Sequence, residues 1–164
     1  MIRTVRGLAL SCHPGPSAAV TAFATALAVS AGLSAGRVVL VAAAILSGQL
    51  SIGWLNDYVD RAIDSAADRP DKPLGLGQVS ATQVRAAMSL AALCCIVTSL
   101  ALGWLPGVLH LVAVASAYSY DLWLKWTRLS WAPFALSFGL LPCVVTTALP
   151  LAPFPQPEIG RAHV

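Results

Sequence analysis

Charge is what this sequence has least of. Of its 164 residues only 10% are Asp, Glu, Lys or Arg, while 57% are apolar and the mean hydropathy is +0.75. An ordinary soluble domain carries about 25% charged residues, so the chain is read as one built for lipid. Its cysteines number four, with no CxxC and no Cys/His ligand spacing. That excludes the usual zinc and dithiol motifs, and Cys12, Cys94, Cys95 and Cys143 read as small packers with free thiols. Arg3 and Arg6 precede only a short apolar piece before Pro14, so no cleavable signal peptide is expected. There is no internal repeat and no low-complexity tract. The net charge is +3, and no nucleic-acid partner is expected.

The few acids are concentrated. Five of seven lie in the stretch NDYVDRAIDSAADRPDKPL, Asn56 to Leu74. If its first part is helical, Asp57, Asp60, Asp64 and Asp68 fall on one stripe, where like charges repel. The pattern makes sense with a cation beside it, and carboxylate oxygens are the ligands Mg²⁺ prefers. Arg61, Arg69 and Lys72 are interleaved, suited to an anion held next to the metal. A solvated acidic loop between two membrane helices is the simpler alternative. Against it stand the regular spacing, Asn56 at the end of an apolar run, and the close of the block at Arg69, Pro70, Asp71, Lys72 and Pro73, whose prolines end a helix in a stiff basic turn.

Crossing the hydrocarbon core takes about 20 apolar residues. Candidate spans cover 14–33, 38–55, 82–104, 106–120 and 131–149, the last bent or broken by Pro133, Gly139 and Pro142. Ser80 with Gln83 three residues on reads as a capping box opening the third span. Trp104, Trp123, Trp126 and Trp131 flank spans, where amphipathic rings favour the headgroup level. Gln49 and Gly53 continue the acid stripe back into the second span, which predicts a pocket reaching down from the acids, with Gly53 leaving room for a ligand. Leaving out Arg161 in the last seven residues, Lys and Arg number eight on one side of the five spans and one, Arg37, on the other. The positive-inside rule therefore puts the amino terminus, the acid loop and the Tyr120 to Arg128 loop in the cytoplasm. In that last loop Tyr118, Asp121 and Lys125 are spaced to share a helix face. Asp121 and Lys125 are either an exposed pair or part of the same cavity, with Lys125 serving a phosphate and Tyr118 or Tyr120 lining the pocket. His110 reads as a packed polar residue in an apolar segment, and His13 and His163 have no evident partner.

NDYVDRAID resembles the first aspartate-rich motif, NDxxDxxxD, of the UbiA family of intramembrane prenyltransferases. DRPDKPL resembles that family's basic, proline-bearing sequel, and SYDLWLKWT its Tyr/Lys loop after the fourth span. The resemblance implies an all-α, multi-pass transmembrane bundle that transfers an isoprenyl group from its diphosphate to a lipophilic, aromatic acceptor, in a bacterial plasma membrane. Asn56, Asp57, Asp60 and Asp64 would then serve Mg²⁺, with the three aspartates as the catalytic acids. Arg69, Lys72 and Lys125 would contact the diphosphate. Asp68 continues the stripe with no role fixed. Ring faces such as Tyr58, Tyr118, Tyr120 or Trp54 would stabilise the allylic cation.

Two features depart from that family. The chain supplies about five spans of roughly 20 residues, against about nine that the resemblance implies, and a second aspartate motif is missing. Residues 1–157 are therefore expected to be the amino-terminal part of such a domain, inactive alone. Residues 158–164, EIGRAHV, back-translate to the start of a common sequencing adapter and are expected to be a non-native tail. The alternatives are a non-catalytic five-span membrane protein and a transporter fragment; acids confined to loops weigh against the latter. The DGxxAR signature of phosphatidyl-alcohol transferases is absent.

Overall fold

The computed structural model describes residues 2–67, 69 and 72–149, with side chains from Thr4 onward. Asp68, Pro70, Asp71 and the tail at 158–164 lie outside the described residues. Every regular element among the described residues is helical. The order is α1 (Ile2–Ser11), α2 (Pro14–Ser30), α3 (Ala35–Ala66), α4 (Ala81–Ala101), α5 (Trp104–Leu122), a short 3₁₀ turn (Leu124–Trp126) and α6 (Ala132–Thr147).

Helix α3 is the axis of the bundle, packed against α2, α4 and α5, while α5 and α6 pair with each other. Its 32 residues span about 48 Å at 1.5 Å per residue, more than the roughly 30 Å of a hydrocarbon core. The apolar run 38–55 is about 27 Å long at that rise, close to that thickness, and Asp57, Asp60 and Asp64 lie past its end. Two helices, α3 and α4, are long and apolar enough to cross a membrane, and α6 is a shorter apolar helix.

The core between α2, α3 and α6 is made of Ala24, Ala28, Val41, Ala44, Ile45, Leu141 and Val145, closed by Leu33, Leu102 and Ala148. Ala24, Ala28, Ala44 and Ala148 let the helix backbones approach, and the Val, Ile and Leu side chains fill the space between them. Other large side chains point outward: Leu90, Leu93 and Val97 on α4 are exposed. Inside lie Ser47, Ser51, Ser99 and His110. Polar groups inside and apolar groups outside is the pattern a lipid-facing bundle requires.

Three local features differ from the sequence expectation. A helix, α1, forms before Pro14; too short to span, it packs Leu8 against Leu74, Val79 and Val84 and receives the Trp54 indole N–H on the Leu8 carbonyl at 2.9 Å. The last helix is not broken: α6 runs through Pro142, with Pro133 in its first turn, where the missing N–H costs nothing. And α5 stops at Leu122, so Tyr118 and Asp121 share a helix but Lys125 belongs to the 3₁₀ turn that follows. The capping box at α4 forms as read, with Ser80 Oγ accepting from Gln83 N at 3.1 Å and Gln83 Oε1 accepting from Ser80 N at 2.9 Å.

The helices alternate in direction, which sorts the loops to two ends. At one end Arg37 donates to the carbonyls of Leu102 and Ala148, satisfying orphan acceptors just past α4 and α6 and placing its charge at the negative ends of both dipoles. The isolated cation of the charge count is thus a structural cap. The other end gathers the 11–13 turn, the close of α3, residues 69 and 72–80, and the 3₁₀ turn.

Candidate active site

The turn between α1 and α2 is seated on α3 by Gly53. A Cβ on that residue would lie 2.3 Å from the Cys12 carbonyl oxygen and 2.6 Å from its carbon, so only glycine admits this backbone. Gly53 therefore makes room for Cys12, and it also borders the cavity described below. The Cys12 carbonyl accepts from Ser17 Oγ at 2.9 Å, and burial pushes the Cys12 thiol up, keeping it a protonated donor to Ala9 O at 3.1 Å. The next residue, His13, takes a left-handed backbone, φ 54°, which aims its ring at α3.

There it meets Asp57. The Asp57 carboxylate is 1% exposed; its Oδ1 accepts from Lys72 Nζ at 2.6 Å and lies 3.1 Å from His13 Nε2. Lys72 Nζ is also 3.3 Å from His13 Nε2 and 3.9 Å from Asp64 Oδ2. His13 Nε2 donates to Asp57 or accepts from Lys72 according to its tautomer. Arg69 reaches Asp64 Oδ1 at 3.5 Å. Arg69 and Lys72 thus reach back onto the acid stripe and offset two of its charges. On the other flank Lys125 bonds Asp60, so it pairs with α3 and not with Asp121. Asp121 is buried at 2% exposure and accepts from Asn56 Nδ2 at 2.9 Å. Arg61 turns away, donating to Tyr58 O and lying 4.3 Å over the Tyr58 ring.

Beside this cluster a cavity of about 370 Å³ opens between α2, α3, α5 and α6. His13, Asn56 and Asp121 stand at its polar end, and its walls are mainly apolar, including Val20, Ile45, Phe134 and Leu141. Of the expected pocket residues, Gln49, Gly53 and Tyr120 line it. Tyr118 does not. Trp54 and Tyr58 are also elsewhere, packed on the Leu74, Val79 and Val84 cluster, which removes them as ring faces for a cation in this cavity. His13 escaped the sequence reading because nothing local links residue 13 to residue 57. Its one legible signal was lying before the first span, on the side assigned to the acid loop.

The donor set can be tested against the Mg²⁺ that the resemblance implies. Among the described residues no three His, Cys, Asp or Glu side chains converge as a metal cage. Mg²⁺ does not ask for one, since it commonly uses one or two carboxylates plus substrate phosphates and retained waters. Two buried carboxylate oxygens, Asp57 Oδ2 and Asp121 Oδ2, have no hydrogen-bond partner, an unfavourable arrangement that an added cation would relieve. The residues fit a metal delivered with a phosphate ligand.

No curated protein and no solved structure matches the chain. The model of the UbiA prenyltransferase family matches residues 17–155, which takes in the acid stripe, the lysines and every wall of the cavity except the His13 turn and the first turn of α2. The chain belongs to the UbiA prenyltransferase family.

Proposed function

We propose that this chain carries the donor half of a Mg²⁺-dependent prenyl transfer from a prenyl diphosphate to a lipophilic, aromatic acceptor. The observation that carries the reading is the junction of a charged cluster of alternating acids and cations with an apolar cavity, within a membrane protein of this family. Cleaving an allylic diphosphate needs charge stabilisation at the leaving group and dry, apolar surroundings for the carbon that departs from it. The two requirements are met side by side here.

Asn56, Asp57, Asp60 and Asp64 would hold the metal, and Asp121, which the sequence alone did not assign to it, presents a free oxygen from the facing helix. The metal, when bound, supplies Lewis-acid stabilisation of the diphosphate. Lys72 and Lys125 already rest on the acids that would receive the metal, so exchanging a carboxylate partner for a phosphate oxygen keeps each ammonium paired. Arg69 offers a guanidinium beside Lys72. The cavity walls then hold the prenyl chain away from water. With the site at the end opposite Arg37, the active-site loops face the cytoplasm of a bacterial cell.

The test is binding of farnesyl diphosphate to the chain in lipid nanodiscs, with and without Mg²⁺. Asp57→Asn and Asp60→Asn should each weaken Mg²⁺-dependent binding at least about tenfold, a loss of one charge-assisted contact. Binding that ignores Mg²⁺ and survives both substitutions rejects the proposal.

A further inference from the structure

His110 was legible in the sequence only as a packed polar residue, and half of it is packed. Its Nδ1 lies 2.7 Å from Ser99 Oγ on α4, a contact made available by Gly107, where a Cβ would stand 2.7 Å from the Ser99 carbonyl oxygen. The glycine lets α5 close on α4, and His110 follows one turn later. Among the described residues Ser99 Oγ has two hydrogen-bond partners, His110 Nδ1 at 2.7 Å and Cys95 Sγ at 3.8 Å, and Cys95 Sγ also lies 4.0 Å from Nδ1. We place the hydroxyl hydrogen on the nearer partner, Nδ1, which puts the ring proton on Nε2.

That second nitrogen has no hydrogen-bond partner among the described residues, although the side chain is 4% exposed and borders the apolar cavity. Gly48 packs beside its Cε1 and Nε2. His110 lies eleven residues before Asp121 on the same helix, roughly 16 Å away along the axis, so it belongs to the inner end of the cavity. The side chain of Gln49 lines the same cavity from α3 and also has no hydrogen-bond partner among the described residues. A hydrocarbon chain alone would leave both groups unsatisfied, which is costly in a membrane interior.

The geometry points to a polar subsite at the inner end of the cavity, in which His110 Nε2–H, held in that tautomer by Ser99, donates to an oxygen of a ligand that is otherwise apolar, with Gln49 as a second contact. Read as the acceptor's carbonyl or phenolic oxygen, this ligand rests on the transferase proposal; the subsite itself does not. It would select oxygenated lipophilic rings over pure hydrocarbons of the same shape.

The experiment uses a matched pair of probes, 4-heptylacetophenone and 4-heptyl-α-methylstyrene, which differ by C=O against C=CH₂. Saturable binding to the chain in nanodiscs is measured above an empty-nanodisc background, alongside Mg²⁺-dependent farnesyl diphosphate binding. The wild type should prefer the ketone about tenfold, the value of one buried hydrogen bond, and His110→Phe should bring the ratio near one while farnesyl diphosphate still binds. A ratio near one in the wild type, or an unchanged ratio in His110→Phe, overturns the subsite. Should His110→Phe not fold, His110→Gln and Ser99→Ala carry the same expectation of a ketone preference lowered at least threefold, and an unchanged ratio in both overturns it. A His110-dependent ketone preference in protein that ignores farnesyl diphosphate would reject the transferase reading and keep the subsite.

Discussion

Gly53→Ala adds one methyl group at the point where the 11–13 turn meets α3, and the structure fixes what that methyl would strike. It would lie 2.3 Å from the Cys12 carbonyl oxygen, 2.6 Å from the carbonyl carbon and 2.9 Å from Cα, all backbone atoms with no rotamer to change. Restoring ordinary van der Waals separation requires the turn to retreat by about 1 Å. Overpacking of this kind costs about 1–3 kcal/mol, and the upper half applies because backbone has to move. At this chain length each kcal/mol shifts a melting midpoint by about 2–4 °C, giving an expected loss of about 5–10 °C, read by circular dichroism in detergent. His13 is the next residue, so the retreat should also break its contact with Asp57, visible as a shifted His13 ring resonance by NMR. Gly139→Ala is the control: nothing lies within 4 Å of its added Cβ, and an exposed helix interior gains up to about 1 kcal/mol from the change. Equal midpoints for the two variants would refute the close approach at Gly53.

Lys72→Met leaves Asp57 buried with His13 as its remaining partner and should destabilise the fold by about 3–5 kcal/mol; adding Asp57→Asn should recover part of that loss, and strict additivity in the double-mutant cycle would deny the pair. Trp54→Phe removes the indole donor to Leu8 O at a cost of about 1 kcal/mol, and limited proteolysis should then cut near α1 sooner than in the wild type. Ser80→Ala breaks the capping box and should cost about 1 kcal/mol in denaturant unfolding, without changing farnesyl diphosphate affinity. Arg37→Met strips the cap from the α4 and α6 termini and should lower the melting midpoint while leaving that affinity unchanged; a lower affinity would mean that the two ends of the bundle are not independent.

What the sequence determined by itself were the quantities that depend on neighbours along the chain. The scarcity of charge, the helical spacing of Asp57, Asp60 and Asp64, the Ser80 capping box and the apolar runs are local, and helix formation follows from local pattern. The acid stripe was legible because α3 is one uninterrupted helix, so spacing in sequence becomes spacing in space. The structure alone decided which cation meets which acid. Lys72 reaches Asp57 from beyond the end of α3, Lys125 reaches Asp60 from the 3₁₀ turn after α5, and His13 arrives from before the first span. Gly53 could be seen as a gap, but its filling by Cys12 depends on two helices' relative placement. His110 shows the same division: its burial in an apolar segment was readable, whereas the assignment of one nitrogen to Ser99 and the other to a cavity was fixed by how closely Gly107 lets α5 approach α4. Local chemistry sets the elements, and contacts between residues far apart in sequence exist only once backbone approach has been settled by packing.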